Sequence, residues 1–548
     1  MRKFLLLALL TCFVFDNLSA QTYNVIDSVD ANNIDSRIFV NRGIFESYLP
    51  TDTNNFINGI AEIWISGYDG SSQLHISAGT GGPSDYWPGP LEASDTITLA
   101  TANTWAKIWK VKTSDIQYFL SLATHTIANT PPSILSWPGK GNIYAQGAAG
   151  AMLTITSDMA PFIDLNGNGI YEPLLGEYPD IKGDQAAWWV FSDNGPSHSE
   201  TNGKPMGIEI HAASYAYKRN TFIDNVVYTE YTLINRSPNT YNNFRAGLYG
   251  YPQLGGIYND YIGFDSVWRM GITYQALKDD GSSGGHPVNI AAWKPVSAVT
   301  MVVSPGDVGT SYVPAGSFTY FIEYDTSAFR APIADTQYNN YMRAKLADGS
   351  HLTNDFLGSG VPSTGHGTGP NCNYVFTGDP SDSSKWSECV CNNDPYPKKQ
   401  FILSSGDNIF PAGGTIKIVY ALLTTYPDSD NYCSHTSYSE IKIVADTAWA
   451  DYFNPPAAIP SSVNYVGQLT SINIYPNPAQ DKVYIESSSG LTSDESVTIY
   501  NSIGQVVSVS ITRSNKKDVI HINSLLPGPY HILYRNGDQQ KSATFIKE

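Results

Sequence analysis

The stretch DLNGNGIYEPLLGEYPDIKGDQ, residues 164–185, crowds oxygen-bearing side chains around glycines and prolines. Asp164, Asn166, Asn168 and Gly169 fit the D-x-[DN]-x-[DN]-G opening of a calcium loop. In such a loop alternate side chains fold inward, Gly169 permits the sharp turn, and the carbonyl of Ile170 adds a backbone ligand. Glu172 stands at the ninth position. The twelfth, where an EF-hand needs a bidentate Glu, is Leu175, and Pro173 obstructs the helix that would follow. The expectation is a short loop of the extracellular-repeat kind, closed from the next turn by Asp180 or Asp184. The expected ligand set is Asp164, Asn166, Asn168, Ile170, Glu172 and Asp184. Oxygen-only ligands select a hard cation, so the expected ion is calcium. Its role is structural, because catalysis needs open coordination and a nearby base. The competing reading of the same residues is an Asn-Gly turn whose side chains cap their own backbone.

Other chemistry is harder to find. The chain contains no H-E-x-x-H and no G-x-x-x-x-G-K-[ST]. One G-x-S-x-G occurs, at Gly281, Ser283 and Gly285, but it lies in a Gly/Ser run before His286-Pro287. A nucleophile elbow needs a strand before it and a helix after it, so a loop is expected there. His198, His211 and His366 have no metal-ligand spacing to one another. Carboxylate pairs of the glycosidase kind are recognised only by distance in space. Tyr86-Trp87, Trp105 with Trp109, and Trp188-Trp189 are either core or sugar-stacking platforms. Adjacent residues in a strand face opposite sides, so at least one of each adjacent pair belongs to the core. The spacing of Trp105 and Trp109 suits one side of a helix.

The N-terminus MRKFLLLALLTCFVFDNLSA has the charged, apolar and small-residue order of a secretory signal, with cleavage expected after Ala20. Its apolar run is shorter than the roughly 20 residues that span a bilayer, and no other segment qualifies. Without residues 1–20 the chain has 30 basic and 49 acidic residues. That balance disfavours nucleic acid as a partner. Cys372, Cys389, Cys391 and Cys433 remain, an even number in an exported chain, which implies two disulfides. A bridge between Cys389 and Cys391 would be strained, so Cys372 is expected with one of that pair and Cys433 with the other. A four-thiolate zinc site is the competing reading, although CVC has the wrong gap for it.

The elements that must carry these groups read as strands. AEIWISGYDGSSQLHISAG (61–79) is a hairpin pattern, and VVYTEYTLINRS (226–237), SFTYFIEYD (317–325) and TIKIVYALLTTY (415–426) are β-branched and aromatic. TSDIQYFLSLATHT (113–126) and SYSEIKIVADTAWADYF (437–453) are the clearest helical segments. The expected fold is all-β, a multi-domain β-sandwich body with a small C-terminal immunoglobulin-like β-sandwich. The expected order is a signal peptide (1–20), a β-rich region with the calcium-type loop (21–220), a second β-rich region with the cysteines (221–453), a Pro/Ser linker (454–471) and the tail (472–548).

From Ile472 the tail reads INIYPNPAQDKVYIESSSG, ESVTIYNSIGQVV, INSLLPGPYHILYRNG and KSATFIKE. Tyr475-Pro476-Asn477-Pro478, Tyr500-Asn501 with Gly504-Gln505, and Gly528 with Tyr530 resemble the type A C-terminal sorting domain of the type IX secretion system of Bacteroidota. Pro529 departs from that pattern, in which an aliphatic residue is commoner, and puts the local strand pairing in question. The resemblance implies export, recognition of residues 472–548 by the type IX machinery, and a product attached to the cell surface or released. Residues 72–91, 160–195 and 373–386 resemble stretches of large uncharacterised secreted proteins with the same tail, which carry no activity across. The expected function is a non-enzymatic, calcium-stabilised surface or secreted protein for adhesion, glycan or matrix binding, or surface structure. The rival is a secreted polysaccharide-active hydrolase whose carboxylate pair is scattered in sequence.

Overall fold

The computed structural model describes residues 25–453 and 473–548, apart from short stretches within each. The expected signal peptide, the linker, and the glycines of the G-x-S-x-G match lie outside the described residues.

The body is built from two antiparallel layers of one continuous sheet, joined where Val302 and Val303 pair with Pro314 and Val313. In the first, strand Gln185–Ser192 lies between Trp109–Lys112 and Trp87–Pro88 on one edge and Ile208–Ala216 on the other. The sheet continues through Val226–Asn235, Thr415–Thr425, Val296–Pro305 and Met270–Gln275 to Asp260–Asp265. In the second, Ile26–Val29, Asp35–Phe39, Gly43–Leu49, Ile60–Tyr68, Tyr241–Tyr251, Lys399–Ser405 and Val313–Ile322 pair in that order. One buried cluster takes Trp64 and Tyr249 from the second layer and Trp189 and Tyr231 from the first. The two layers therefore share a core, as in a sandwich. The expected boundary at residue 220 falls between two neighbouring strands of one sheet, so 25–453 is described as one body.

The expected hairpin is present: Leu74–Ser77 folds back on Ile60–Tyr68, from Ile65 opposite Ser77 to Tyr68 opposite Leu74. Both expected helices form, at Thr113–Ser121 and Ser439–Phe453. The second buries Ile441, Val444, Ala445, Ala448, Trp449 and Tyr452, a spacing that keeps one stripe against the outer face of the first layer. Trp188 and Trp189 face opposite ways, yet both are buried. Trp189 enters the shared core, and Trp188 packs with Trp109 and Trp137 under the segment that covers the sheet's other face. Trp105 and Trp109 do not share a helix. Trp105 ends helix Leu99–Trp105, Trp109 opens a strand, and the rings meet edge to face across the corner, 6.0 Å apart.

Of the two expected bridges one forms. Cys433 bonds to Cys389, one of the expected pair, with Cα atoms 5.2 Å apart, while Cys372 and Cys391 are free thiols. Cys391 is fully buried in the shared core and Cys372 packs against that same cluster. The single bridge closes 44 residues and ties the 387–393 turn to the chain before the last helix. On loop-entropy grounds that stabilises by about 4 kcal/mol.

The tail is a separate small sandwich. One sheet orders Asn473–Tyr475, Lys482–Glu486, Lys517–His521 and Ser510–Thr512. The other orders Glu495–Asn501, Gly528–Asn536 and Gln539–Lys547. Val483, Ile485, Ile499, Ile520, Ile532 and Phe545 fill the space between. Pro529 does not disturb the pairing. It lies one residue beyond the reach of Glu495–Asn501, whose last partner is Tyr530. Opposite it, Ile546 directs its backbone elsewhere: its N–H donates to Asn477 Oδ1 (2.9 Å) and its carbonyl accepts from Ala479 (2.8 Å). No ladder bond there requires an N–H from proline. Asn477 of the Tyr-Pro-Asn-Pro motif also donates to Thr544 O at 3.0 Å, so the motif latches the tail's first loop onto its last strand.

Candidate functional site

The loop at 164–172 draws its polar groups together around the peptide backbone. Asp164 Oδ1 accepts from Gly167 N and Oδ2 from Gly169 N, both at 2.7 Å. Asn166 Oδ1 accepts from Asn168 N at 3.0 Å, and Asn168 Oδ1 from Ile170 N at 2.7 Å. The Nδ2 groups of Asn166 and Asn168 both donate to Glu172 Oε2, at 2.9 and 2.7 Å. Gly167 and Gly169 have φ of 74° and 73°, which an L side chain rarely adopts. The backbone N–H groups of Gly169 and Gly167 hold the Asp164 carboxyl below its ordinary range. These bonds are the self-capping that the turn reading anticipates. The accepting oxygens of Asp164, Asn166 and Asn168 each keep a second lone pair, whereas Glu172 Oε2 already accepts two bonds, so acceptors for a cation remain on the first three and on Glu172 Oε1.

Asp164, Asn166, Asn168, Ile170 and Glu172 thus share one loop, but Asp184 does not join them. Its carboxylate accepts from Lys218 N at 2.7 Å and pairs with Arg219. Sequence reasoning missed Glu177, which is fully buried beneath the loop and accepts from Leu165 N (3.1 Å) and Glu172 N (2.7 Å). The left-handed Gly176 before it, at φ 99°, was the available signal. Among the described residues no three His, Cys, Asp or Glu side chains form a metal-holding group.

A second assembly lies in the body, where the 74–85 hairpin meets the 193–201 loop. Asp193, fully buried, accepts from Met206 N and Ile208 N at 2.6 Å each and from Ser77 Oγ at 2.8 Å. Asp85, also fully buried, accepts from Ala78 N (3.1 Å), Glu200 N (2.9 Å) and the Thr201 hydroxyl (2.8 Å). Glu200 accepts from Thr80 Oγ1 at 2.5 Å and Tyr338 OH at 2.9 Å. Glu62 lies 3.6 Å from Arg42, both buried, and accepts from Gly81 N at 3.2 Å. Gly79 makes room for it, because a Cβ there would sit 2.0 Å from Glu62 Oε2. Burial pushes Glu62 up to about 7 against the pull of Arg42, and Asp85 up to about 6. It raises Asp193 and Glu200 as well, and lowers His198.

Ser77, His198 and Asp85 superficially form a nucleophile triad: Ser77 Oγ is 2.9 Å from His198 Nε2, and His198 Nδ1 is 3.4 Å from Asp85 Oδ1. The proton count argues otherwise. Ser77 has one hydroxyl hydrogen, and it goes to Asp193, whose carboxylate can only accept. His198 Nε2 must then donate to Ser77, the reverse of what activates a nucleophile. Ser77 is also fully buried. The assembly is a hydrogen-bonded clamp between two loops. His211 pairs instead with Glu209 (2.8 Å), which also holds Arg236, and His366 approaches Ser350 at 3.3 Å.

The tail decides the protein's destination. A family model described as the secretion system C-terminal sorting domain matches residues 473–548, the two-sheet unit latched by Asn477. The tail is a sorting domain of that family. With this sorting domain the protein is cargo of the type IX secretion system, delivered to the cell surface or the medium. No helix among the described residues is long and apolar enough to cross a membrane. No curated protein matches the sequence. Among solved structures, a polysaccharide lyase aligns at 10% identity over 71% of this chain and 38% of its own, with a TM-score of 0.18. The BSP domain of a biofilm-associated protein aligns at 9% identity over 95% and 80%, with a TM-score of 0.13. Likenesses this slight carry no weight for the body.

Proposed function

We propose that the body ahead of the sorting domain is a non-enzymatic surface module for adhesion, glycan or matrix binding, with a structural calcium ion in the 164–172 loop. The observation that carries this reading is how the gathered acids are engaged. Asp85 and Asp193 each accept from at least two backbone N–H groups, and Asp193 and Glu62 are sealed from solvent. A general acid or base must reach the substrate's proton within hydrogen-bonding distance, and carboxylates committed to holding loops are badly placed for that. For calcium, the support is the convergence of Asp164, Asn166, Asn168 and Glu172 on one turn with acceptor lone pairs to spare. The ion would cross-link the turn; the residues ask no chemistry of it.

One observation favours the rival hydrolase. Burial, with the Glu200 charge adding to it, brings Glu62 near neutrality, as a general acid requires. A polysaccharide-hydrolysis screen on residues 21–548, run beside a glycan array, separates the two. Retention without turnover supports the binding module. Release of reducing ends that disappears in Glu62→Gln overturns it.

A further inference from the structure

Where the hairpin strand Ile60–Tyr68 ends, a cleft of about 470 Å³ opens between its turn and the start of Tyr241–Tyr251. Tyr68, Asp69, Ser72, Asn242, Asn243 and Arg343 line it. Tyr68 and Asn242 are directly opposite in the antiparallel pairing, so their side chains rise from the same face of the sheet. The register slips between Asn242 and Arg245, and Asn243 takes up the slip with a left-handed φ of 46°. Both asparagines are exposed, and neither amide is engaged by a described protein group.

Beneath the cleft the parts are fixed. Asn339, only 4% exposed, donates to Tyr68 OH at 2.9 Å and accepts from Arg343 Nε at 3.0 Å and Ser66 Oγ at 3.0 Å. Arg343 also donates to Asn243 O at 2.6 Å and to Asp407 at 2.5 Å, and its guanidinium lies over the Tyr68 ring, 5.6 Å from the centroid. The ring is therefore held at its hydroxyl and across one face. The local charges cancel: Arg343 and Arg245 share Asp407, and Asp69 supplies the fourth.

We propose that this cleft binds an uncharged saccharide, an assignment that rests on the binding reading above and gives it a place. Vicinal sugar hydroxyls each donate and accept, which suits free amides able to do both beside a carboxylate and a guanidinium with N–H groups left over. A rigid tyrosine supplies amphipathic contact area at little cost in entropy. Balanced charge within the walls selects against a uronate or sulfated chain.

The test is calorimetric titration of residues 21–548 with neutral gluco-, manno-, galacto- and xylo-oligosaccharides, and with oligouronates as the charged counterpart. Asn242→Ala removes an exposed amide without touching the supporting layer. Gln117→Ala, in the polar cleft formed by Asp30, Lys112, Ser114 and Asp184, serves as the control. The expected result is binding of a neutral oligosaccharide that Asn242→Ala weakens about tenfold at unchanged melting temperature, with Gln117→Ala like wild type. Binding that Asn242→Ala leaves intact overturns the cleft while sparing the binding reading. Binding confined to oligouronates overturns the ligand class. Turnover, or no saccharide bound at all, removes the proposal together with the glycan reading beneath it.

Discussion

The 164–172 loop and the clamp around Asp193 use the same side-chain chemistry in opposite solvent. In both, carboxylates collect backbone N–H groups. Asp164 does so in the open and its carboxyl is held below its ordinary range, whereas Asp193 does so in a sealed interior and its carboxyl is raised despite equally short bonds. Hydrogen bonding favours the ionised form in both places, and only in the clamp does desolvation outweigh it. The type of residue thus says little about its charge; depth in the fold decides it. One consequence is that the clamp holds loops strongly but at a pH-dependent cost, while the loop stays ionised and open to a cation.

The largest effect should come from Asp193→Ala. It orphans the N–H groups of Met206 and Ile208 and the Ser77 hydroxyl in a dry interior. The expected loss is about 3–5 kcal/mol, reduced somewhat by removal of a buried charge. Denaturant unfolding checks this. A loss below about 1 kcal/mol, as expected of an exposed carboxylate, would erase the contrast between the two regions.

The second effect separates them by pH. Glu62 ordinarily titrates at 4.5 and in the fold at about 7. Between those values the native chain holds the extra proton, so its contribution is complete below about 4.5 and lost as pH rises through 7. The penalty is on the order of 3 kcal/mol. Glu62→Gln should flatten the decline of unfolding free energy between pH 5 and pH 8 by about that amount. An identical pH profile in wild type and variant means that Arg42 keeps Glu62 ionised throughout.

Local patterns were the legible part of the sequence. The 61–79 hairpin and both helices each depend on neighbours a few residues away. What escaped depends on partners far along the chain. Ile60–Tyr68 pairs with Tyr241–Tyr251, and Val226–Asn235 with Thr415–Thr425, which is why a domain boundary at 220 looked plausible. Only one of the two expected bridges forms for the same reason: the fold brings Cys389 to Cys433 and leaves Cys391 inside the core as a free thiol. The clamp was invisible because Glu62, Asp85, Asp193 and Glu200 follow no spacing rule and meet only through the fold. In the 164–172 loop Asp164, Asn166, Asn168 and Glu172 share one turn, as their spacing implies, and Asp184, beyond the next turn, lies apart from them.

That separation offers the finest test of the comparison. If the open loop holds calcium, about 10 mM of the ion should raise the melting temperature of wild type by roughly 2–4 °C, given the weak affinity usual for extracellular loops. Asp164→Ala should abolish the rise, because it removes the carboxylate on which two backbone caps and the expected first ligand both depend. Asp184→Ala should lower stability with or without calcium, since its partners are Lys218 and Arg219, and should leave the rise intact. The folded-state depression of Asp164 means that its contribution persists above its ordinary value of 3.8 and is lost only as pH falls through the lower folded value. The calcium response should therefore survive at pH 5. A response that vanished in Asp184→Ala but persisted in Asp164→Ala would place the ion beside Arg219, where a guanidinium already occupies the carboxylate, and would mean that the caps in the loop are complete in themselves.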